Sequence, residues 1–388
     1  MTTFAAPRLL IGSTLTGPGA IAVEDGRIVE VLGGLPVTRA DRIVLEHGIL
    51  TAGMIDLQFN GAFGVEMVSA SMEEWNAVSR ALAGHGVTSF QPTFVTAKVA
   101  DLTAALQSTA SFRQAVDSAG GARMVGVHLE GPMISRPGAH DPNLIQLPSV
   151  ELARKLVEAA PGLVTMVTLA PELPGALDVI RWLRHQGVVI SIGHSNAMAI
   201  EAQKAADAGA TAVTHIFNAQ RPFTHREPGI AGQALYDPRL VSGLIADLVH
   251  VAPQVCVTVM RAAPGRVALI TDSATPAGMP PGHYRVGGRE VEVDEVGGTP
   301  HLADGTLAGS VLMLDRAVRN VVGLGCGLTE VLLAVTRVPA EVLGRNDLGR
   351  LEVGAPADLV WWSDDLVPLR TWVGGTQAYD SKWEAVPE

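Results

Sequence analysis

Apolar positions recur along this chain with two different periods. Through residues 1–49 they come in short runs broken by polar residues and glycine. There A-I-A-V-E-D-G-R-I-V-E-V sets a D-G turn between two apolar runs, which predicts a β-hairpin. From residue 53 strand-like runs alternate with amphipathic ones. Eight strands are predicted, at 53–58, 87–92, 123–130, 163–169, 187–193, 210–216, 239–246 and 266–272. Between them, 73–85 places Trp75, Val78 and Leu82 on one helical face, and 102–116 and 150–160 follow the same pattern, glycine closing several of these runs. Eight such repeats predict a (β/α)8 TIM barrel. A doubly wound open sheet is the alternative, but no G-x-G-x-x-G opens the first helix. Beyond the eighth strand, 283–306 reads as a β-hairpin with G-G and D-G turns, helices are predicted at about 310–323 and 328–345, and the chain then returns to β. The termini, 1–52 and 354–388, are expected to form one small β-sandwich domain, with the barrel, 53–353, inserted between them.

The stretch 188–229 organises the rest. V-V-I-S-I-G-H and T-A-V-T-H are two β-rich runs, each ending in a histidine, His194 and His215. The Ala/Lys/Glu/Gln-rich segment 196–209 between them suits a helix. Parallel strands joined by a helix end on the same edge of the sheet, so the two imidazoles can converge.

Composition narrows the function class. The 388 residues are 47% hydrophobic and 17% charged, which predicts a folded soluble chain with a large core. No apolar run is long enough to span a bilayer, and the N-terminus lacks the basic start and apolar core of a signal peptide. Two cysteines, Cys256 and Cys326, give no disulfide framework or paired metal motif and are expected to be ordinary buried thiols. A cytoplasmic location fits these features. A net charge of −11 argues against a nucleic-acid partner, and no membrane partner is expected. It also requires any anionic substrate to meet a local cluster of positive groups.

In a barrel of this kind functional side chains sit at the C-terminal ends of strands. Glu130 ends the third predicted strand, His194 the fifth, His215 the sixth and Asp272 the eighth. Two imidazoles, a carboxylate and an open position make a metal site with room for water, and Asp272 is placed to handle a proton. A lone strand-end histidine is more often a hydrogen-bonded structural residue. Four ionisable groups at four strand ends are harder to explain that way, because each is costly to bury unpaired. His128 shares a strand face with Glu130 and is expected to support or pack rather than ligate. His47, His85, His185, His283 and His301 fall in loop, cap or hairpin positions and read as structural. A second group lies on the same rim: His140 after strand three; Asn218, Ala219, His225 and Arg226 after strand six; His250 after strand seven. Arginine, histidine and backbone amides commonly bind phosphate, so this group suggests an anionic substrate.

The motifs D-L-Q-F-N-G-A-F-G (56–64), H-L-E-G-P (128–132), G-A-H-D-P-N (138–143), T-L-A-P-E (168–172), G-H-S-N-A (193–197), T-H-I-F-N-A (214–219), H-R-E-P-G (225–229), T-D-S-A-T-P-A-G (271–278) and L-A-G-S (307–310) span nearly the whole chain. Together they resemble the N-acetylglucosamine-6-phosphate deacetylase family of the amidohydrolase superfamily. The resemblance implies that Glu130, His194 and His215 hold a divalent metal. It implies that Asp272 is the general base that activates the attacking water and then protonates the leaving amine, and that His140 polarises the acetamide carbonyl. Asn218, Ala219 and His250 would contact the sugar phosphate, with Arg226 reaching in from the neighbouring subunit of a homodimer, and Leu307 would belong to the loop over the sugar. The products would be acetate and glucosamine 6-phosphate, within amino-sugar catabolism or cell-wall recycling.

Where many members of the superfamily carry His-x-His on strand one, this chain has Gln58-Phe59-Asn60. Amides are poor ligands for a transition metal, so one metal ion per subunit is expected; zinc suits the donors, and iron or another divalent ion is compatible. Gln220-Arg221 and Leu248-Val249 depart from the family pattern near the sugar site. Two rival functions are deacetylation of another N-acyl substrate, such as N-acetylgalactosamine 6-phosphate or an N-acyl amino acid, and a catalytically dead scaffold. Retention of Glu130, His194, His215 and Asp272 speaks against the scaffold.

Overall fold

The computed structural model describes residues 1–33, 42–117, 120–295 and 298–382. Residues 34–41 and 383–388 of the expected terminal β-domain, and 296–297 of the expected hairpin, lie outside the described residues. Eight parallel strands form the barrel: β1 (Met54–Phe59), β2 (Val87–Val95), β3 (Val127–Glu130), β4 (Val164–Leu169), β5 (Val189–Ile192), β6 (Ala212–Val213), β7 (Val241–Ile245) and β8 (Val267–Ile270). Each pairs with its successor from β1 through β8. The last seam closes beyond the strands proper: Phe59 bridges Ser273, and the Asp272 N–H donates to the Gln58 carbonyl at 2.9 Å. The eight predicted strands are thus all present. Several end earlier than expected, β6 by three residues, because the chain leaves the ladder as it turns into the functional loops.

Helices α1 (Met72–Gly84), α2 (Val99–Asp117), α3 (Val150–Glu158), α4 (Ala176–His185), α5 (Ala199–Ala208), α6 (Gly229–Tyr236), α7 (Pro253–Ala262) and α8 (Leu314–Gly323) accompany the strands. Local chemistry sets their bounds. Ser71 and Glu74 form a reciprocal capping box at the start of α1, and Ser149 caps α3. On α1 the predicted stripe Trp75, Val78 and Leu82 is buried against the barrel wall, Trp75 meeting Phe90 and Phe112 at ring separations of 6.0 and 5.6 Å. The helix expected over 328–345 is instead two, α9 (Leu328–Val335) and α10 (Arg337–Val342). Pro339 is the cause: it has no N–H to offer the Val335 carbonyl, and its ring occupies that oxygen's place.

Both termini contribute to the small domain. A four-stranded sheet orders Arg27–Gly33, Gly19–Glu24, Thr2–Ala6 and Arg42–Val44. A six-stranded sheet orders Thr376–Asp380, Pro368–Val373, Leu359–Trp362, Ile49–Ala52, Leu9–Ile11 and Thr14–Thr16. Phe4, Ile21, Ile28, Leu50, Leu359 and Trp372 share one core between the two sheets. The predicted hairpin turns at Asp25-Gly26, both at positive φ, as a tight two-residue connection demands. Arg123, just before β3, pairs with buried Asp358 and joins this domain to the barrel. No described helix is long and apolar enough to cross a membrane.

Removing the Trp75 ring leaves a void in a wall that nothing mobile can fill. Trp75→Ala is expected to lower the unfolding free energy by about 3–5 kcal/mol in urea titrations, against less than about 0.5 kcal/mol for exposed Tyr236→Ala.

Candidate active site

Three strand ends meet on one rim. Glu130 is the last residue of β3, and His194 and His215 lie two residues beyond β5 and β6. Glu130 Oε1 is 2.9 Å from His215 Nε2 and 3.3 Å from His194 Nε2, and the two imidazole nitrogens are 3.1 Å apart. Among the described residues this is the group that can hold a metal ion, and all three side chains are buried. A tetrahedral centre with bonds near 2.0–2.1 Å sets its ligands roughly 3.3 Å apart, so these atoms stand like one face of such a tetrahedron. The Arg136 carbonyl lies 2.8 Å from His194 Nδ1. A carbonyl only accepts, so Nδ1 carries the proton and Nε2 offers a lone pair to the cluster. The residues present therefore fit a divalent metal with nitrogen and oxygen ligands.

Electrostatics agree with the geometry. Burial opposes the charge of Glu130, yet the imidazoles of His140, His194 and His215 packed around it hold its carboxyl well below the usual range. Burial likewise disfavours a charged His215, but the hydrogen bond and charge of Glu130 outweigh it and raise that imidazole to about 9. A site with this pull on a proton also pulls on a cation.

Asp272 lies two residues beyond β8. Its Oδ1 accepts from the Asn60 amide at 2.7 Å and from the Gln58 amide at 3.1 Å, while Gln58 Nε2 also donates to Glu130 Oε1 at 2.8 Å. The two strand-one amides thus orient carboxylates. Burial, and then the charge of Glu130, raise Asp272 to about 6. His140, in the loop after β3, sets Nδ1 2.8 Å from the Thr96 hydroxyl and Nε2 3.6 Å from Glu130 Oε2. Burial, and then neighbouring His194, push His140 down to about 4, which leaves it neutral at pH 7. His128 stays outside the cluster; its Nε2 lies 2.7 Å from the Thr168 hydroxyl, and burial lowers it to about 4.

These groups open into a cavity of about 570 Å³. Asn218, Ala219, His250 and Leu307 line it, with Val286 and Gly287 from a hairpin of strands Gly282–Val286 and Arg289–Val293. Asp247 accepts from His250 Nδ1 at 2.7 Å and fixes the ring. His225 and Arg226 are exposed and lie outside the lining of their own chain's cavity. Gln220 turns inward, donating to the Thr214 carbonyl at 2.9 Å and accepting from the Phe217 N–H, so this departure from the family pattern is absorbed within the loop. Of the two cysteines, Cys256 is buried and Cys326 only half-buried, because its position after α8 faces the surface.

His194, His215 and Asp272 all take positive φ, at 47°, 26° and 48°, a region costly for residues with a Cβ. Hydrogen bonds hold them there. The His194 carbonyl accepts from Ser135 and Arg136, that of His215 from Asn218, and that of Asp272 from Ser310. Gly138 passes so close that a Cβ would lie 3.3 Å from His194 Cε1. Thr96, the Arg136 carbonyl and Asp56 were not singled out from the sequence. Their contacts come from different strands, and only Asp56 lay within a motif already noted.

Over residues 49–378 the sequence matches the Amidohydrolase family. An N-acetylglucosamine-6-phosphate deacetylase of Vibrio furnissii is 35% identical over 383 residues, covering 97% of this chain and 95% of its own. An N-acetylgalactosamine-6-phosphate deacetylase of Escherichia coli O157:H7 is 34% identical over 377 residues, covering 96% and 98%. Among solved structures, a mutant N-acetyl-D-glucosamine-6-phosphate deacetylase from Mycobacterium smegmatis in complex with N-acetyl-D-glucosamine-6-phosphate has a TM-score of 0.91 at 33% identity, covering 97% of this chain and 99% of that one.

Asp56 lies beneath Asp272. Its oxygens accept from the Thr271 hydroxyl at 2.6 Å and from the Gln58 and Thr271 N–H groups, and burial pushes its carboxyl up to about 7. The unfolded chain gives up this proton near pH 4 and the folded one near 7, so its stabilising contribution is full below pH 4 and lost as pH rises through 7. Between pH 5 and 8 the wild type should lose more unfolding free energy than Asp56→Asn, by up to about 2.5 kcal/mol. Parallel urea titrations giving equal losses would refute this.

Proposed function

This chain belongs to the amidohydrolase family, and from that premise we propose that it is a metal-dependent deacetylase of N-acetyl-D-glucosamine 6-phosphate, releasing D-glucosamine 6-phosphate and acetate. One observation carries the reading: a three-donor nitrogen/oxygen cluster, a separately held carboxylate, and Asn218, Ala219, His250 and Leu307 line the same cavity. Glu130, His194 and His215 would hold the metal. A divalent cation there supplies Lewis acidity and lowers the pKa of water; zinc suits the donor set.

The chain's own groups do the rest. Asp272, fixed by Gln58 and Asn60, takes the proton that water loses as it adds to the acetamide carbonyl. His140, its Nδ1 held 2.8 Å from the Thr96 hydroxyl, would donate from Nε2 to the carbonyl oxygen as charge develops. When the C–N bond breaks, Asp272 returns its proton to the sugar nitrogen. Asn218, Ala219 and His250 would seat the phosphate end. Arg226, exposed on its own subunit, would complete the neighbouring site in a homodimer.

Asp272→Asn should keep its metal and lose about 10²–10⁴-fold in turnover, as loss of a general base does. A rate within about tenfold of wild type would remove Asp272 from this role. Substrate choice is tested by acetate release, with metal analysis on the same sample, from N-acetylglucosamine 6-phosphate, N-acetylgalactosamine 6-phosphate and unphosphorylated N-acetylglucosamine. Fast turnover of the first alone, with about one metal per chain, is expected. Preference for the second would favour the function of the Escherichia coli relative. Turnover of the unphosphorylated sugar alone would discard the phosphate reading of His250 and Arg226.

A further inference from the structure

Glu172 closes the motif T-L-A-P-E just beyond β4 and has no part in the chemistry above. Its carboxylate nonetheless collects three donors. Oε1 accepts from the Ser135 hydroxyl and from the Asn196 N–H at 2.7 Å, and Oε2 accepts from the Ser195 hydroxyl at 2.6 Å. Ser135 belongs to the loop after β3, and Ser195 and Asn196 to the loop after β5. One side chain therefore ties together the loops of three successive barrel strands.

What it ties is the mounting of His194. The Ser135 and Arg136 N–H groups both donate to the His194 carbonyl at 2.9 Å. The Arg136 carbonyl in turn accepts the His194 Nδ1 proton, which fixes the tautomer that points a lone pair at Glu130 and His215. The clamp continues into the next loop, because the Ser195 N–H donates to the Ala219 carbonyl and the Arg221 N–H to the Ser195 carbonyl, each at 3.0 Å. Without the carboxylate, the Ser195 hydroxyl loses its acceptor, and the Ser135 hydroxyl and the Asn196 N–H keep only longer contacts, to the His194 carbonyl at 3.5 Å and to Ser135 Oγ at 3.1 Å. His194, already at a costly positive φ, then loses part of what holds it there.

We propose that Glu172 is a positioning residue: by locking the 135–136 segment against His194 it sets the direction of that imidazole, and so how tightly the three-donor site holds its metal. The inference rests on the metal-site reading above. Outer groups that orient metal-binding imidazoles govern affinity more than fold.

The test compares wild type, Glu172→Ala, Glu172→Gln, Ser135→Ala and, as a control, Asp178→Ala, whose exposed carboxylate pairs with Arg181 on the surface of α4. Zinc affinity is read by chelator competition without substrate, and the melting temperature of each metal-free chain is read beside it. Glu172→Ala should bind zinc about 10–100-fold more weakly, with Glu172→Gln and Ser135→Ala between it and wild type, Asp178→Ala unchanged, and the metal-free melting temperatures alike. Zinc binding by Glu172→Ala within about twofold of wild type overturns the inference. So does a loss matched by a fall in metal-free melting temperature across the Glu172 and Ser135 variants, which makes Glu172 a stability element only. A wild type that binds no zinc overturns the site reading together with this one. If the wild type binds zinc but deacetylates none of the sugars, the substrate reading fails and the same affinity comparison still decides the role of Glu172.

Discussion

A carboxylate taken out of water must be met by hydrogen bonds and opposite charge, or it will not stay ionised. Glu130, only 2% exposed, meets that demand with three imidazoles and the Gln58 amide. Of these partners only His140, in the loop that follows strand three, is near it in sequence; the others arrive from strands one, five and six. The parallel barrel makes this encounter possible, because it delivers every strand to the same rim with its C-terminal end leading. A cluster assembled that way carries a strong local pull on protons and cations inside a chain whose net charge is −11.

The same arrangement separates two carboxylates that would otherwise be equivalent. Glu130 sits among imidazoles and is held ionised. Asp272 is pushed towards protonation by burial and then by the negative charge of Glu130, against the hydrogen bond from Asn60. Gln58 touches both. Different surroundings thus give two similar groups different affinities for a proton, as the proposed roles of ligand and proton carrier require. Keeping His194, His215 and Asp272 in place requires backbone conformations that residues with a Cβ avoid, and the surrounding loops answer with two hydrogen bonds to the His194 carbonyl and one each to those of His215 and Asp272.

Around this rim the remaining parts have supporting roles. The hairpin 282–293 brings Val286 and Gly287 to the cavity, and the Gly287 N–H donates to Glu66 at 2.6 Å, which ties the hairpin to the loop after strand one. The β-sandwich lies away from the rim. It shields the barrel through contacts such as Arg123 with Asp358 and Tyr379 near Gly84 of α1.

Hydrophobic periodicity by itself determined the eight strands, the amphipathic helices and the terminal β-domain, because burial of one face leaves a repeating trace on neighbouring residues. It also marked Glu130, His194, His215 and Asp272, since an ionisable residue at the end of an apolar run is conspicuous. The break of 328–345 at Thr336 was legible in Pro339 but hidden by the apolar period on either side. Tertiary structure alone decided what Thr96, Asp56, the Arg136 carbonyl and Glu172 do. Their significance lies in hydrogen bonds between loops of different strands, and a bond that joins residue 135 to residue 172 leaves no local pattern in the chain. It likewise decided that Gln58 and Asn60 serve as donors to carboxylates, which depends on distances of about 3 Å that only the closed barrel establishes.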